Sequence, residues 1–192
     1  MSSVLDITYR QPESFEGNVA ASLMGAEAAI GQSTGKFSQL HGIRYKRNTT
    51  LLSSLETKGE YDPSFFDYQT NLRLKLNDQW NISFLGNIAM NNYKFTPKTR
   101  STSFGTSQNV KEFTVYFDGK EQDRFETYFG ALELNYDVNK STGFTLLASG
   151  FLTNELVAYD ISGEYWLDEA GTNDGENSVG GEIGVGKYLE HS

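Results

Sequence analysis

The residues with the clearest spacing for chemistry are Gly31-Gln32-Ser33-Thr34-Gly35, which match the G-x-S-x-G pattern of a serine nucleophile elbow. That pattern has meaning at a strand-to-helix turn with a histidine base to follow, whereas here strand-like segments lie on both sides. His41 is the nearest candidate base, and its place along the adjoining segment is not expected to return it to Ser33. A hairpin turn accounts for these small residues. We therefore predict no catalytic residues and a protein that is not an enzyme.

Two other segments contain the residue types of a calcium site and of a phosphate-binding loop, but they lack the features that define those motifs. Residues 168–177 carry enough carboxylate and amide oxygens for calcium, but they depart from the EF-hand spacing, so a solvated loop is the better interpretation. Gly180, Gly181, Gly184 and Gly186 resemble a phosphate-binding run, yet no helix-forming segment follows to present its N-terminus. We expect neither a metal nor a cofactor.

The composition narrows the function classes. The chain has 192 residues, 16 Lys plus Arg, 25 Asp plus Glu and a formal charge of −9. A surface with this balance is not built to neutralise phosphates, so we expect no nucleic-acid partner. The absence of cysteine excludes disulfides, Cys-ligated zinc and thiol catalysis. The length predicts one domain.

Membrane insertion through a helix is not expected from this sequence. No run approaches the roughly 18 consecutive apolar residues that a membrane helix requires. Membrane-spanning strands escape this criterion, because they alternate apolar and polar residues. Residues 1–4 show neither the basic nor the apolar region of a secretory signal, so the chain is expected to carry no signal peptide.

Period-2 alternation predicts two long antiparallel hairpins. In the first, residues 66–77 alternate apolar and hydrophilic side chains, and after a turn at 77–79 the pattern resumes over 80–90. In the second, residues 128–138 and 144–152 flank a turn at 139–143. Weaker strands are predicted over 15–23, 26–32 and 37–46, with a turn at 33–35.

Long polar connections separate these hairpins, over 47–64, over 97–109 with a short strand at 111–118 after it, and over 168–177. Tight turns at one end of a sheet and long loops at the other are typical of outer-membrane barrels, although soluble barrels show them too. The strands at 80–95 and 144–159 run about 16 residues, beyond the roughly 9 to 11 that cross a bilayer. By pattern alone, a transmembrane barrel and a lipocalin-like or sandwich domain both stay open.

Several short motifs carry a resemblance, and they run through nearly the whole chain in order. They are residues 2–12 (SSVLDITYRQP), 15–17 (FEG), 55–63 (LETKGEYDP), 83–87 (SFLGN) with 92–95 (NYKF), 104–106 (FGT) and 163–167 (GEYWL). Together they resemble the TonB-dependent outer-membrane receptors, in a branch with a carboxypeptidase-regulatory-like domain. The resemblance implies that residues 1–12 are the end of a plug domain and that residues 13–192 are the N-terminal part of a β-barrel.

The resemblance also implies a fold, partners and a location. The fold class is all-β, an antiparallel meander of about eight strands belonging to a larger transmembrane barrel of roughly 22 strands. The partners are outer-membrane lipid, a plug domain, TonB and an imported nutrient such as a siderophore or a glycan. The location is the cell outer membrane. The topology of such receptors further requires a tight turn near residues 24–26, where the alternative is one continuous strand from Phe15 to Ile30 with a glycine bulge.

The candidate binding residues are Gln69, Asn71, Arg73 and Lys75, which stand opposite a ladder of leucines. An Arg or Lys facing lipid at mid-bilayer costs roughly 2 to 4 kcal/mol, so in a barrel these side chains face the lumen. They would then bond to the plug, line the transport path or belong to a wet barrel interior. The alternative function is a self-contained soluble β-barrel that binds a small apolar ligand, with the leucine ladder pointing inward.

Overall fold

The computed structural model of the chain describes residues 8–48, 59–106, 109–169, 179–183 and 187–191. The secondary-structure elements in these ranges are all β-strands. These ranges contain no helix that is long and apolar enough to cross a membrane. The strands in chain order are β1 (Glu16–Ser22), β2 (Gly25–Thr34), β3 (Phe37–Arg47), β4 (Gly59–Tyr61), β5 (Ser64–Lys75), β6 (Trp80–Pro97), β7 (Arg100–Thr106), β8 (Asn109–Asn139), β9 (Thr142–Glu169), β10 (Val179–Ile183) and β11 (Lys187–His191).

All eleven strands of the described ranges belong to one sheet, which is not closed. Eight of them form a continuous path in the order β1-β2-β3-β5-β6-β8-β9-β10. Three short strands pair beside this path, β4 with β6, β7 with β8 and β11 with β9. The predicted all-β antiparallel meander is confirmed. The predicted number of about eight strands matches the eight strands of the continuous path, which does not include β4, β7 and β11.

The first two strands form a tight hairpin, as predicted near residues 24–26. β1 pairs antiparallel with β2 from Glu16 opposite Gly31 to Ser22 opposite Gly25. Gly25 has a φ of 146°, and a Cβ there would lie 2.0 Å from the carbonyl oxygen of Tyr45 on β3. Only glycine fits this combination of backbone conformation and close approach. The alternative of one continuous strand from Phe15 to Ile30 is wrong.

The two long hairpins have the predicted turns, and an asparagine closes each. Asn77 Oδ1 accepts hydrogen bonds from the backbone N–H groups of Gln79 at 2.8 Å and Trp80 at 2.9 Å. Asn139 Oδ1 accepts a bond from the backbone N–H of Ser141 at 3.0 Å. Such side-chain bonds to nearby backbone favour turns over continued strand.

The predicted long connections contain more strand than expected. Residues 100–106 form β7, which pairs with β8 from Arg100 opposite Val115 to Thr106 opposite Asn109. The predicted short strand at 111–118 is the start of the 31-residue β8. Residues 59–61 form β4, whereas 49–58 and 170–178, where most of the other two connections fall, lie outside the described residues. Polar strands of this kind pair through the backbone, so hydropathy does not reveal them.

The chain divides into two compact units that share its longest strands. Unit 1 is residues 1–46, 65–90 and 126–153, and unit 2 is residues 47–64, 91–125 and 154–192. Unit 1 contains the tight turns, and unit 2 contains the short strands β4, β7, β10 and β11. Among the described residues, Val115 at 9% exposure is the one hydrophobic side chain that counts as buried. Most of the large apolar side chains in the described part of the sheet are therefore at least partly accessible to solvent.

Candidate functional site

In unit 1 the polar face of the sheet is built by alternate residues of neighbouring strands. Arg44 of β3 donates hydrogen bonds to Asp67 Oδ2 of β5 from Nε at 2.9 Å and from Nη2 at 2.7 Å. This ion pair puts the two side chains on one face. Because side chains on a strand alternate, Gln69, Asn71 and Arg73 share that face with Asp67.

The N-terminal segment lies against this polar face. Arg73 Nη2 donates a hydrogen bond to the backbone oxygen of Tyr9 at 3.3 Å, and Tyr9 Oη donates a long one to Gln69 Oε1 at 3.5 Å. Arg73 Nε also donates to Asn71 Oδ1 at 3.2 Å. Two of the four predicted binding residues, Gln69 and Arg73, therefore bond to Tyr9, and a third, Asn71, bonds to Arg73. Arg10 of the same segment forms an ion pair with Glu16 of β1.

Lys75, the fourth predicted residue, has a different partner. Its Nζ lies 2.8 Å from Asp78 Oδ1 in the β5–β6 turn. The hydrogen bond from Lys75, and then its charge, hold the pKa of Asp78 below its ordinary value. Lys75 therefore links the end of β5 to the β5–β6 turn, and it also lines the same cavity as Asn71 and Arg73.

A cavity of about 710 Å³ adjoins these residues within unit 1. Its polar lining includes Tyr9, Asn71, Arg73, Asn81, Glu133 and Asn135. Asn135 links β8 to β9, because its Oδ1 accepts a hydrogen bond from Thr145 Oγ1 at 2.6 Å. The walls carry both charges and many amides, which suits a hydrated polar surface or a polar segment of chain rather than an apolar ligand.

Sequence reasoning missed two contributors to this face. Arg44 was detectable, because alternation over residues 37–46 gives it a polar-face position. Tyr9 was not detectable, because it lies outside any strand and its partner Gln69 is 60 positions away in the sequence.

The serine motif does not form a catalytic pair. Ser33 lies in β2 opposite Ser38, and His41 lies in β3 opposite Ile30. Partners in an antiparallel register share a face, so Ser33 and His41 lie on opposite faces of the sheet. Within the described ranges no group of three or more His, Asp or Glu side chains could hold a metal ion.

The opposite face of unit 1 is mainly apolar and open. Leu146 is 67% exposed, and Phe84 and Leu132 also expose more than a third of their surface. Phe84 covers Gly86 and Gly130, whose missing side chains leave a trough of about 600 Å³. Polar groups also lie on this face, where His41 Nδ1 lies 2.9 Å from Tyr68 Oη and His41 Nε2 lies 3.3 Å from Gln39 Oε1.

Three features of the described residues bear on function: the polar face, the segment bound to it and the exposed apolar face. Comparisons of the chain with protein-family models, with curated proteins and with solved structures find no match. The inference of a function therefore rests on these three structural features.

Proposed function

We propose that this chain is part of a TonB-dependent outer-membrane receptor, which imports a large scarce nutrient such as a siderophore or a glycan. The observation that carries the proposal is a sheet with two unlike faces and almost no buried apolar residue in its described part. In water such a sheet leaves many large apolar side chains uncovered, which predicts aggregation. In a bilayer the same face is solvated by lipid and needs no core.

The polar face supports the same proposal. Arg73 and the other candidate residues fit a wet barrel interior, where their charge is not exposed to hydrocarbon. The segment around Tyr9 crosses this face and is bonded to Gln69 and Arg73. A plug joined to the barrel through residues 1–12 would enter the lumen along such a path.

In the intact receptor this chain would act by forming part of the wall. The plug and TonB would supply the coupling to energy, and the nutrient would pass between plug and wall. The polar residues around the cavity would then hold the plug or solvate the passage. The chain would carry out no catalysis.

The test is the environment of the two tryptophans in the purified full chain. Trp80 stacks on Tyr136 of β8 with ring centroids 4.3 Å apart, at the start of the apolar face. We expect the chain to be insoluble in buffer and soluble in lipid-containing micelles, where a quencher in the acyl region quenches Trp80 fluorescence. Trp166 of unit 2 should be protected from this quencher. Trp80→Phe, which leaves Trp166 alone, is the control that separates the two signals.

The alternative is a self-contained soluble β-barrel that binds a small apolar ligand. The trough around Phe84 and Gly130 is the observation that favours it, because its lining is largely apolar. This alternative needs the leucine ladder to be a core, whereas Leu74, Leu132 and Leu146 are exposed. A soluble monomer in buffer with Trp80 shielded from every quencher would favour the soluble barrel and contradict the receptor.

A further inference from the structure

Unit 2 contains an aromatic patch formed by Tyr61, Tyr93 and Phe95. The β4–β6 register places Tyr61 opposite Phe95, and their ring centroids are 4.8 Å apart. Tyr93 follows along β6, with its ring centroid 6.2 Å from that of Tyr61. Gly59 makes room for this arrangement, because a Cβ there would lie 2.2 Å from the Phe95 ring. The three rings therefore form a connected aromatic surface on one face of the sheet.

Two carboxylates of β8 border the aromatic patch. β6 and β8 are neighbours in the sheet, and the backbone N–H of Asp137 bonds to the oxygen of Gln79 at 2.8 Å. This bond pairs Gln79 with Asp137, and the strands are antiparallel. Moving 14 residues forward along β6 and 14 residues back along β8 therefore places Tyr93 opposite Asp123, with Glu121 two residues before Asp123 on β8. Burial is the main cause that raises the pKa of Tyr93, and the charges of Tyr61, Glu121 and Asp123 add to it. Because side chains alternate along a strand, Glu121 and Asp123 lie on the same face of the sheet as the Tyr93 ring.

Among the described residues, these two carboxylates lack the ion-pair partners that acidic groups in folded proteins usually have. Asp123 Oδ1 is inaccessible to solvent and has no hydrogen-bond partner among the described residues. Burial raises the pKa of Asp123, and burial with repulsion from Asp123 raises that of Glu121. No ion pair of the described residues involves either group. An unpaired acidic group held next to aromatic rings is unfavourable for the folded chain alone, and such arrangements are typical of binding sites.

We propose that the aromatic patch, with Glu121 and Asp123, binds an organic cation through an ammonium or guanidinium group. The ring faces attract such a cation through their quadrupoles, and the two carboxylates neutralise it. An alkylammonium carries both the charge and the apolar surface that this combination recognises, whereas a hydrated metal ion lacks the apolar surface and a neutral sugar lacks the charge. The formal charge of −9 also draws cations toward the chain.

The residues of this site lie on β4, β6 and β8. The proposal does not depend on the proposed import function. If the chain does cross a membrane, a tilted strand needs about 9 to 11 residues to do so. β6 begins at Trp80, so Tyr93 and Phe95 would lie beyond the bilayer, where a ligand in solution can reach them.

The experiment is a calorimetric titration of the full chain with spermidine, in buffer or in micelles as its solubility requires. We expect saturable binding that becomes at least tenfold weaker in Asp123→Asn and in Tyr61→Leu, and that is retained in Tyr61→Phe. The matched control is Asp118→Asn, which removes the same charge from an exposed position of the same strand. It should bind spermidine as the parent chain does.

Folding is checked separately from binding. Asp123→Asn removes a charge that has no ion-pair partner among the described residues, so its thermal denaturation midpoint at neutral pH should equal or exceed that of the parent chain. A variant that binds weakly yet unfolds at the same temperature has lost the site and not the fold. Tyr61→Leu keeps both carboxylates and tests the aromatic contribution independently.

Two outcomes would overturn the proposal. The first is no saturable spermidine binding, and if maltotriose or Ca²⁺ binds at the patch instead, the site belongs to a sugar or to a metal ion. The second is spermidine binding that Asp118→Asn weakens as much as Asp123→Asn. None of these results bears on whether Trp80 contacts lipid, so this proposal and the receptor proposal can fail separately.

Discussion

At the scale of residues, Arg73 has the most connected position on the polar face. It donates hydrogen bonds to Asn71 and to the backbone of Tyr9, and so joins the N-terminal segment to β5. Hydrogen bonds from a charged donor contribute roughly 1.5 to 3 kcal/mol where they are partly buried. The attachment of the N-terminal segment should therefore depend on this side chain more than on its neighbours.

We expect Arg73→Ala to release the N-terminal segment while leaving the sheet folded. The peptide bond after Arg10 should then be cut several times faster by trypsin, which can be followed by mass spectrometry. Lys75→Ala is the matched control, because Lys75 lies two residues away on the same strand and pairs with Asp78 instead. Equal cleavage rates in Arg73→Ala and the parent chain would show that Arg73 does not hold the segment.

At the scale of elements, the β1–β2 hairpin depends on the backbone of Gly25. Its φ of 146° is unfavourable for other residues, and a Cβ would collide with the Tyr45 carbonyl oxygen at 2.0 Å. Gly42 on β3 differs, since nothing lies within 4 Å of a Cβ built there. Substituting each of the two glycines therefore tests whether the hairpin depends on the backbone conformation at Gly25 or is weakened by the loss of any nearby glycine.

Gly25→Ala should destabilise the β1–β2 hairpin by about 1 to 3 kcal/mol, the usual range for backbone strain at a special conformation. Hydrogen exchange of the β1 amides should be faster by a corresponding factor. Gly42→Ala should leave exchange in β1 nearly unchanged. Equal effects of the two substitutions would mean that the positive φ at Gly25 is not what fixes this turn.

At the scale of the whole molecule, the two faces of the sheet predict opposite responses to charge. Leu146 and Leu147 are neighbours on β9 with similar exposures, 67% and 62%. Leu147 lines the polar cavity, so alternation places Leu146 on the apolar face. A difference between these two sites would reflect the surroundings of each face rather than exposure.

Leu146→Arg should prevent stable insertion into lipid vesicles, because an arginine facing the bilayer costs roughly 2 to 4 kcal/mol at its middle. Leu147→Arg should insert as the parent chain does, since its charge would face the wet side. Flotation of the refolded full chain with vesicles measures this directly. Similar flotation of both variants would argue against a lipid-facing apolar surface.

The sequence by itself determined the fold class, the two long hairpins and the faces on which their side chains stand. Alternation over residues 66–77 put Gln69, Asn71 and Arg73 together on one face, and the asparagine turns at 77 and 139 ended the strands near the expected positions. These features could be predicted because strand periodicity and turn chemistry act over a few neighbouring residues.

Only the tertiary structure decided which distant segments meet. It placed Tyr9 against Gln69 and Arg73, formed β7 from a segment that reads as a polar loop, and set Tyr61 beside Phe95. These contacts depend on strand order and register across the sheet, which local patterns do not specify. The pairing of Lys75 with Asp78 rather than with the other candidate residues was likewise settled by the geometry of the turn.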